Sequence, residues 1–436
     1  MAIAGGTFQQ GLSGLNAAQR GLEVIANNVS NASVVGFKGS DAEFADVFAR
    51  AFNGSGSTNG IGLGTSLSSV TQNFKQGNIN VTGNPLDLAI NGNGFFKVAS
   101  TAGEMVYTRN GQFNLDKDGF IVNSKGDKLQ GFPIDATTGR VSDVSQNLAI
   151  SQASIPPSPT RGSSLEVNLD ARATPIAAAV PFDPANLNTY NNSTALTVYD
   201  ELGQSHIMSI YLRKESGNTW SAYATVDGTQ VDVGVAPVTP TVAPAQAAAG
   251  SLVFGVDGQL TTPANAQFTV DLSRFVTATG TPFSSTGTGP NSYTFDMSKA
   301  TQYGSSFSVQ NLGQDGYTAS PFAGYNIGPN GTLTISYANG KLVDVARVGL
   351  YKFTNPEALQ PVGANGWLAT QQAGAELVSL SDDSAFGLIQ AGALEESNVD
   401  LTAELVAMIS AQRVYQANSQ SIKTQDSLLQ TITNLR

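Results

Sequence analysis

Apolar residues at both ends of the chain recur every seven positions. Near the carboxy end Leu401, Met408, Tyr415, Ile422 and Leu429 keep that interval, with Leu405 four places after Leu401. Phe8, Leu15, Leu22 and Val29 repeat it near the amino end, and Leu12 and Ile25 widen the stripe. A seven-residue period holds apolar side chains on one face of a long α-helix, so the pattern predicts a helix at each terminus. No Gly or Pro interrupts the run from Ala393 onward, and in Ser397-Asn398-Val399-Asp400 both Ser397 and Asp400 are placed to cap its first turn. Away from the seams a solvated helix normally carries charge. Here those positions are mostly neutral: Gln412, Gln416, Asn418, Ser419, Gln420 and Gln425 at one end, Gln9, Asn16, Ala17 and Ala18 at the other. These faces are read as subunit contacts. Burial along a lone two-helix seam falls short of the entropy lost in ordering both helices. Both ends are therefore expected to be disordered in the monomer and to fold on assembly.

Between the termini the period changes. The segment from Ser30 to Lys75 has no sustained pattern; Phe44, Val47 and Phe48 form one apolar cluster, and Asn53 to Gly64 reads as a flexible loop. Strand signals then follow: Asp87 to Ile90, the Asn91-Gly92-Asn93-Gly94 turn, Phe95 to Val98, Tyr107 to Arg109, Phe113 to Leu115, Phe120 to Val122 and Leu129 to Phe132. They predict a compact antiparallel β module. Ile155-Pro156-Pro157-Ser158-Pro159 reads as an extended linker. Beyond it lies a second β-like region with few helix signals, running to about Gln314. Strand patterning resumes from Tyr317 through Phe353 and leads back to the terminal helix. The expected fold is mainly β with terminal α-helices, and its domains are nested. Residues 1–33 with 397–436 form a coiled-coil-like helical core, 34–74 a connector, 75–144 with 317–396 an inner β domain, and 145–316 an inserted outer all-β domain.

Composition narrows the function. The 436-residue chain is only 13% charged and carries a net charge of −11. With no basic patch to offset phosphate, neither nucleic acid nor an anionic membrane surface is an expected partner. The absence of cysteine removes disulfides, thiolate metal sites and a Cys nucleophile. No apolar run reaches the length of a membrane span, so no membrane insertion is expected. Met1 to Gly6 has neither a basic lead nor an apolar core, so no cleavable signal peptide is read there.

Candidate chemistry is sparse. His206, the sole histidine, sits in a strand-like run and is read as structural. Asp116-Lys117-Asp118-Gly119 begins like a calcium loop, but Phe120 stands at the fifth position and no Glu follows at the twelfth; a hairpin turn is the better reading. The carboxylate pairs Asp200-Glu201, Asp382-Asp383 and Glu395-Glu396 are sequence neighbours, and glycosidase chemistry needs carboxylates converging across a cleft. Asn28-Val29-Ser30 matches a glycosylation sequon by chance. No catalytic residue, metal or cofactor is expected.

Several segments together resemble a known family. Ser13 to Gln19 with Ile25 to Asn31 is similar to the amino-terminal signature of bacterial flagellar rod and hook proteins. Leu86 to Ile90, Gly94 to Phe96, and Tyr107 to Gly111 with Phe113 resemble that family's inner β motifs. Gly392 to Glu395, Ser397 to Asp400, Gln412 to Gln416, and Lys423-Thr424 with Asp426 resemble its carboxy-terminal signature. The insertion from about Val144 to Gly316 fits the hook members; distal rod members lack one of that size. The resemblance implies a self-assembling tubular homopolymer, a flexible joint transmitting motor torque, with terminal helices lining its wall. It further implies export through the flagellar type III apparatus to an extracellular hook/basal-body location. The implied partners are the distal rod protein, the hook cap and the hook–filament junction protein. Phe44 and Phe48 match the Phe-x-x-x-apolar element recognised at the export gate, although a packing cluster explains them as well. A distal rod subunit is the nearest alternative; a β-rich adhesin and a wall-cleaving enzyme are the competing classes.

Overall fold

A computed structural model describes residues 2–47, 64–135, 138–177, 179–231, 250–263, 267–271, 292–379 and 386–434. The chain forms two compact units. One comprises residues 1–152, 324–336 and 342–436, the other residues 153–323 and 337–341.

The first unit carries both long helices, α1 (Ala2–Ser30) and α2 (Leu401–Asn434). They lie antiparallel: Gly11 faces Ile422, Gly14 faces Asn418, and Asn28 meets Glu404. A Cβ at Gly14 would stand 2.9 Å from Asn418 Nδ2, and one at Gly11 would stand 3.0 Å from Ile422 Cγ1. Missing side chains, not complementary ones, set the approach of this end of the pair. No helix among the described residues is long and apolar enough to cross a membrane.

The described parts of the connector, residues 34–47 and 64–74, are more ordered than their sequence suggested, while the expected loop from Asn53 lies outside the described residues up to residue 63. Ser40–Asp46 and Thr65–Gln72 pair as an antiparallel hairpin with a bulge at Glu43/Phe44. Alternation is absent because both strands are largely exposed. Their register is fixed instead by Ser69 and Thr71 donating to the Glu43 carboxylate at 2.9 and 3.3 Å. An isolated two-stranded hairpin is marginal in water, and this one gains support by packing on α1.

Most of the predicted strands lie in an eleven-stranded sheet, but Leu88–Asn91 stands outside it and pairs with Leu388–Ala391 in a sheet of its own. The main path of the larger sheet passes through Thr332–Tyr337, Leu342–Val348, Lys128–Pro133, Phe96–Ala99, Met105–Thr108, Gly366–Leu368 and Gln360–Gly363, each neighbouring pair antiparallel. Phe95, Tyr107, Phe132, Tyr351, Phe353 and Trp367 make an aromatic core, with mostly edge-to-face contacts such as Tyr107–Phe353 at 4.7 Å. Asp116 closes the turn over Gly119: its Oδ1 accepts from the Asp118 and Phe120 amides.

Among its described residues the second unit is β apart from one 3-10 turn, Leu187–Thr189. A six-stranded antiparallel sheet is built around Ser205–Ser216 and Thr219–Val226, and a five-stranded mixed sheet around Gly162–Asp170. Leu165, Val167 and Leu169 from the mixed sheet share one core with Met208, Ile210, Leu212 and Trp220. Such a sandwich follows from strands whose alternate residues are apolar. His206 is buried in it, with Nδ1 2.7 Å from Asp227 Oδ2 and Nε2 3.6 Å from Asp200 Oδ2.

Candidate functional site

The helix pair is tied to the β module at one end, where α1 leaves and α2 begins. Two buried or half-buried amides make the tie. Asn28, 2% exposed, donates from Nδ2 to Ser40 O and Glu404 Oε1, both at 2.9 Å, and accepts from Ser40 N at 2.9 Å. Asn398 accepts from Gly39 N at 2.9 Å and donates to Asn73 O and Lys75 O at 2.7 and 3.1 Å. An amide both donates and accepts, so each Asn bridges strands and helix starts that no backbone ladder joins. Beside them a cleft of about 400 Å³ opens, lined by Ile25, Phe44, Val399 and Glu404 among others.

Beneath the amides lies a buried ionic cluster. Lys38 Nζ is 2.7 Å from Glu395 Oε1 and donates to Lys75 O at 2.6 Å. Arg109 Nη1 is 3.1 Å from Glu395 Oε2, while Nη2 donates to Gly92 O at 2.9 Å. Gly77 N also donates to Glu395 Oε1, at 2.9 Å. The side chains of Lys38 and Glu395 are inaccessible, and that of Arg109 is 3% exposed. Burial pushes the Lys38 amine below the usual lysine range, with Glu395 opposing the shift; the Arg109 guanidinium is lowered by burial in the same way. Two cations share one anion, the carbonyls of Lys75 and Gly92 accept one further bond from each, and Arg109 Nε is buried without an acceptor. The cluster therefore holds geometry and offers solvent no reacting group.

Asp400 is the cap of α2. Its Oδ1 accepts from Thr402 N at 2.9 Å and Ala403 N at 3.3 Å, which contributes about 1 kcal/mol. Ser397 instead accepts from Val399 N, outside the helix.

The seam residues do not all face the partner helix. Leu15, Leu22, Ile25 and Val29 on α1 and Met408 and Ile422 on α2 are half-buried. Leu12, Leu401, Leu405 and Tyr415 remain exposed in the single chain. Phe8 and Leu429 have side chains outside the described residues, and so does Phe48; Phe44 is 43% exposed on the hairpin. Further exposed apolar residues on α2 are Val406, Ile409, Val414 and Leu428. A helix apolar around most of its circumference belongs in an interior, and one partner helix covers only one side of it.

Sequence reasoning missed Lys38 and the glycines of α1. One signal for Lys38 was available: in a chain this poor in charge, a lone cation in Gly36-Phe37-Lys38 directly after a helix end needs a partner. Arg109 and Glu395 stood inside the recognised motifs, but nothing in their spacing paired them.

Known proteins match along the whole chain. Residues 8–38 match the flagella basal body rod protein family and 390–435 the flagellar basal body rod FlgEFG protein C-terminal family. Between them, 89–174 match the flagellar hook protein FlgE/F/G D1 domain and 168–317 the flagellar basal body protein FlaE D2 domain. The flagellar hook protein FlgE of Escherichia coli K12 is 36% identical, with 98% of this chain and 100% of the relative covered. That of Salmonella typhimurium is also 36% identical, with 99% and 100% covered. In fold, the crystal structure of the Helicobacter pylori flagellar hook protein FlgE2 aligns with a TM-score of 0.52 at 13% identity, covering 72% of this chain and all of that one. At 36% identity over nearly its full length, the chain belongs to the flagellar hook protein family.

Proposed function

We propose that the chain is the structural subunit of a flagellar hook, adding to a helical homopolymer through its terminal helices. The observation that carries this reading is the apolar surface of α2 left uncovered in the single chain, at Leu405, Val406, Ile409 and Val414. Copies meeting through different patches on each side generate an open helix when the rotation between them does not close into a ring. Bending such a tube needs contacts that slide, and low-charge helix faces place few directional ion pairs in the way. The distal rod protein, hook cap and hook–filament junction protein are the neighbours proposed in the flagellum. Concentrated protein viewed by negative-stain microscopy is expected to form tubes; their absence across a range of salt concentrations would remove the proposal.

Export through the flagellar type III apparatus is part of the same reading. Phe44 and Phe48 are proposed as the gate-recognition element. Replacing both with Ala is expected to cut secretion at least tenfold while purified subunits still polymerise; unchanged secretion would leave the pair a packing cluster. Phe44 is 43% exposed, so polymerisation by the purified variant is the check that truncation has left the fold intact.

A further inference from the structure

The ionic cluster joins parts of the chain that are made far apart. Lys38 and Arg109 lie in the first quarter of the chain; Glu395 follows them by 357 and 286 residues. Among the described residues Glu395 is the only anion that either cation meets. The surrounding strand edges depend on the same late segment. Leu388–Ala391 pairs with Leu88–Asn91, and Ala393–Glu395 pairs with Ile79–Val81. Glu395 O accepts from Gly36 N at 2.8 Å, and Asn398 holds Gly39 and Asn73. Residues 388–400 bring both the anion and the strand edges that cover this place, so a collapse of the earlier segments over Lys38 and Arg109 before they arrive would bury two cations with no counter-ion. Removing one partner of a buried pair is far more damaging than never having had the pair.

We infer that Glu395 is a completion latch: the anchor of α1 cannot close until the carboxy-terminal segment is present, so no partial chain presents a docked amino-terminal helix. The folding statement stands on the cluster's geometry. Its consequence, that only complete subunits can join a growing tube, rests on the polymer reading above. The latch also explains the choice of charge over packing. An apolar patch at the same place would let the amino-terminal half collapse on itself early, whereas buried cations forbid that until their anion arrives.

Hydrogen exchange on the full chain tests this at concentrations where it is monomeric. In Glu395→Gln, amides of residues 36–46 and 75–91 are expected to exchange about 100- to 1000-fold faster, the loss set by an unpaired buried charge. Residues 205–226, in the other unit, should be unchanged. The neutral triple variant Lys38→Met, Arg109→Leu, Glu395→Leu should recover most of the lost protection, because no charge is left unpaired. In pulse-labelled refolding of the unsubstituted chain, residues 36–46 should gain protection together with residues 388–400. Normal protection in Glu395→Gln, equal loss in both units, failure of the triple variant to recover, or early protection of 36–46 would each overturn the latch. Tube formation by microscopy is scored separately, so failure to polymerise with normal exchange behaviour would count against the polymer reading alone.

Discussion

Replacing Val406 and Ile409 together with Glu is expected to abolish tube growth while leaving the single chain folded. The two side chains are 64% and 52% exposed in the monomer, so the substitution removes little intramolecular burial, and exposed surface changes usually alter stability by about 0.5 kcal/mol or less. Glu is also a better helix former than Val or Ile. In a polymer the same positions would lie between helices. Each substitution then forfeits up to roughly 1.5–3 kcal/mol of apolar burial and must desolvate a carboxylate. A loss of about 4 kcal/mol per added subunit raises the critical concentration on the order of 1000-fold. Sedimentation of the assembled fraction against total protein measures it, with circular dichroism as the check on folding. Tubes forming at the usual concentration would show that this face of α2 is not an assembly surface.

Gly111→Ala should unfold the first unit. A Cβ there would stand 1.6 Å from Leu88 O, a backbone atom that no rotamer change can move. The clash falls where Leu88 N donates to Gly111 O at 3.0 Å and where Leu88, Ala89 and Ile90 are fully buried. Relief requires separating these two segments, and the expected loss is about 4 kcal/mol or more. Gly103→Ala is the matched comparison: its φ is +89° and nothing lies within 4 Å of the added carbon. Only the cost of a left-handed backbone applies there, roughly 1 kcal/mol. Urea denaturation followed by the fluorescence of Trp367 in the first unit and Trp220 in the second separates the two; equal midpoints for the transition of the first unit would refute the steric argument.

These two glycines mark how far a linear reading reaches. Asn110-Gly111 looks like a turn, and the strand signal does break there. Yet Gly111 is absent from the residues with positive φ, so its requirement is space beside Leu88, not conformational freedom. The hairpin of Ser40–Asp46 and Thr65–Gln72 escaped for a different reason. Its strands bury no continuous face, so period-2 alternation was never imposed on them. Their pairing comes from the Glu43 carboxylate and from α1 alongside.

The sequence by itself determined the elements whose causes are local. Seven-residue apolar periodicity specified two helices, Asp400 three places before Ala403 supplied the cap, and Gly- and Asn-rich pairs punctuated the antiparallel strands. It also carried enough motif to place the chain in its family, because those motifs are runs of adjacent residues. Only the tertiary structure decided which residues meet across hundreds of positions: Lys38 and Arg109 on Glu395, Gly14 against Asn418, Asn28 against Glu404. It also decided which apolar positions of α2 stay uncovered. A helix's period follows from its own backbone geometry, whereas the partner of a buried charge depends on where the whole chain folds back to exclude water.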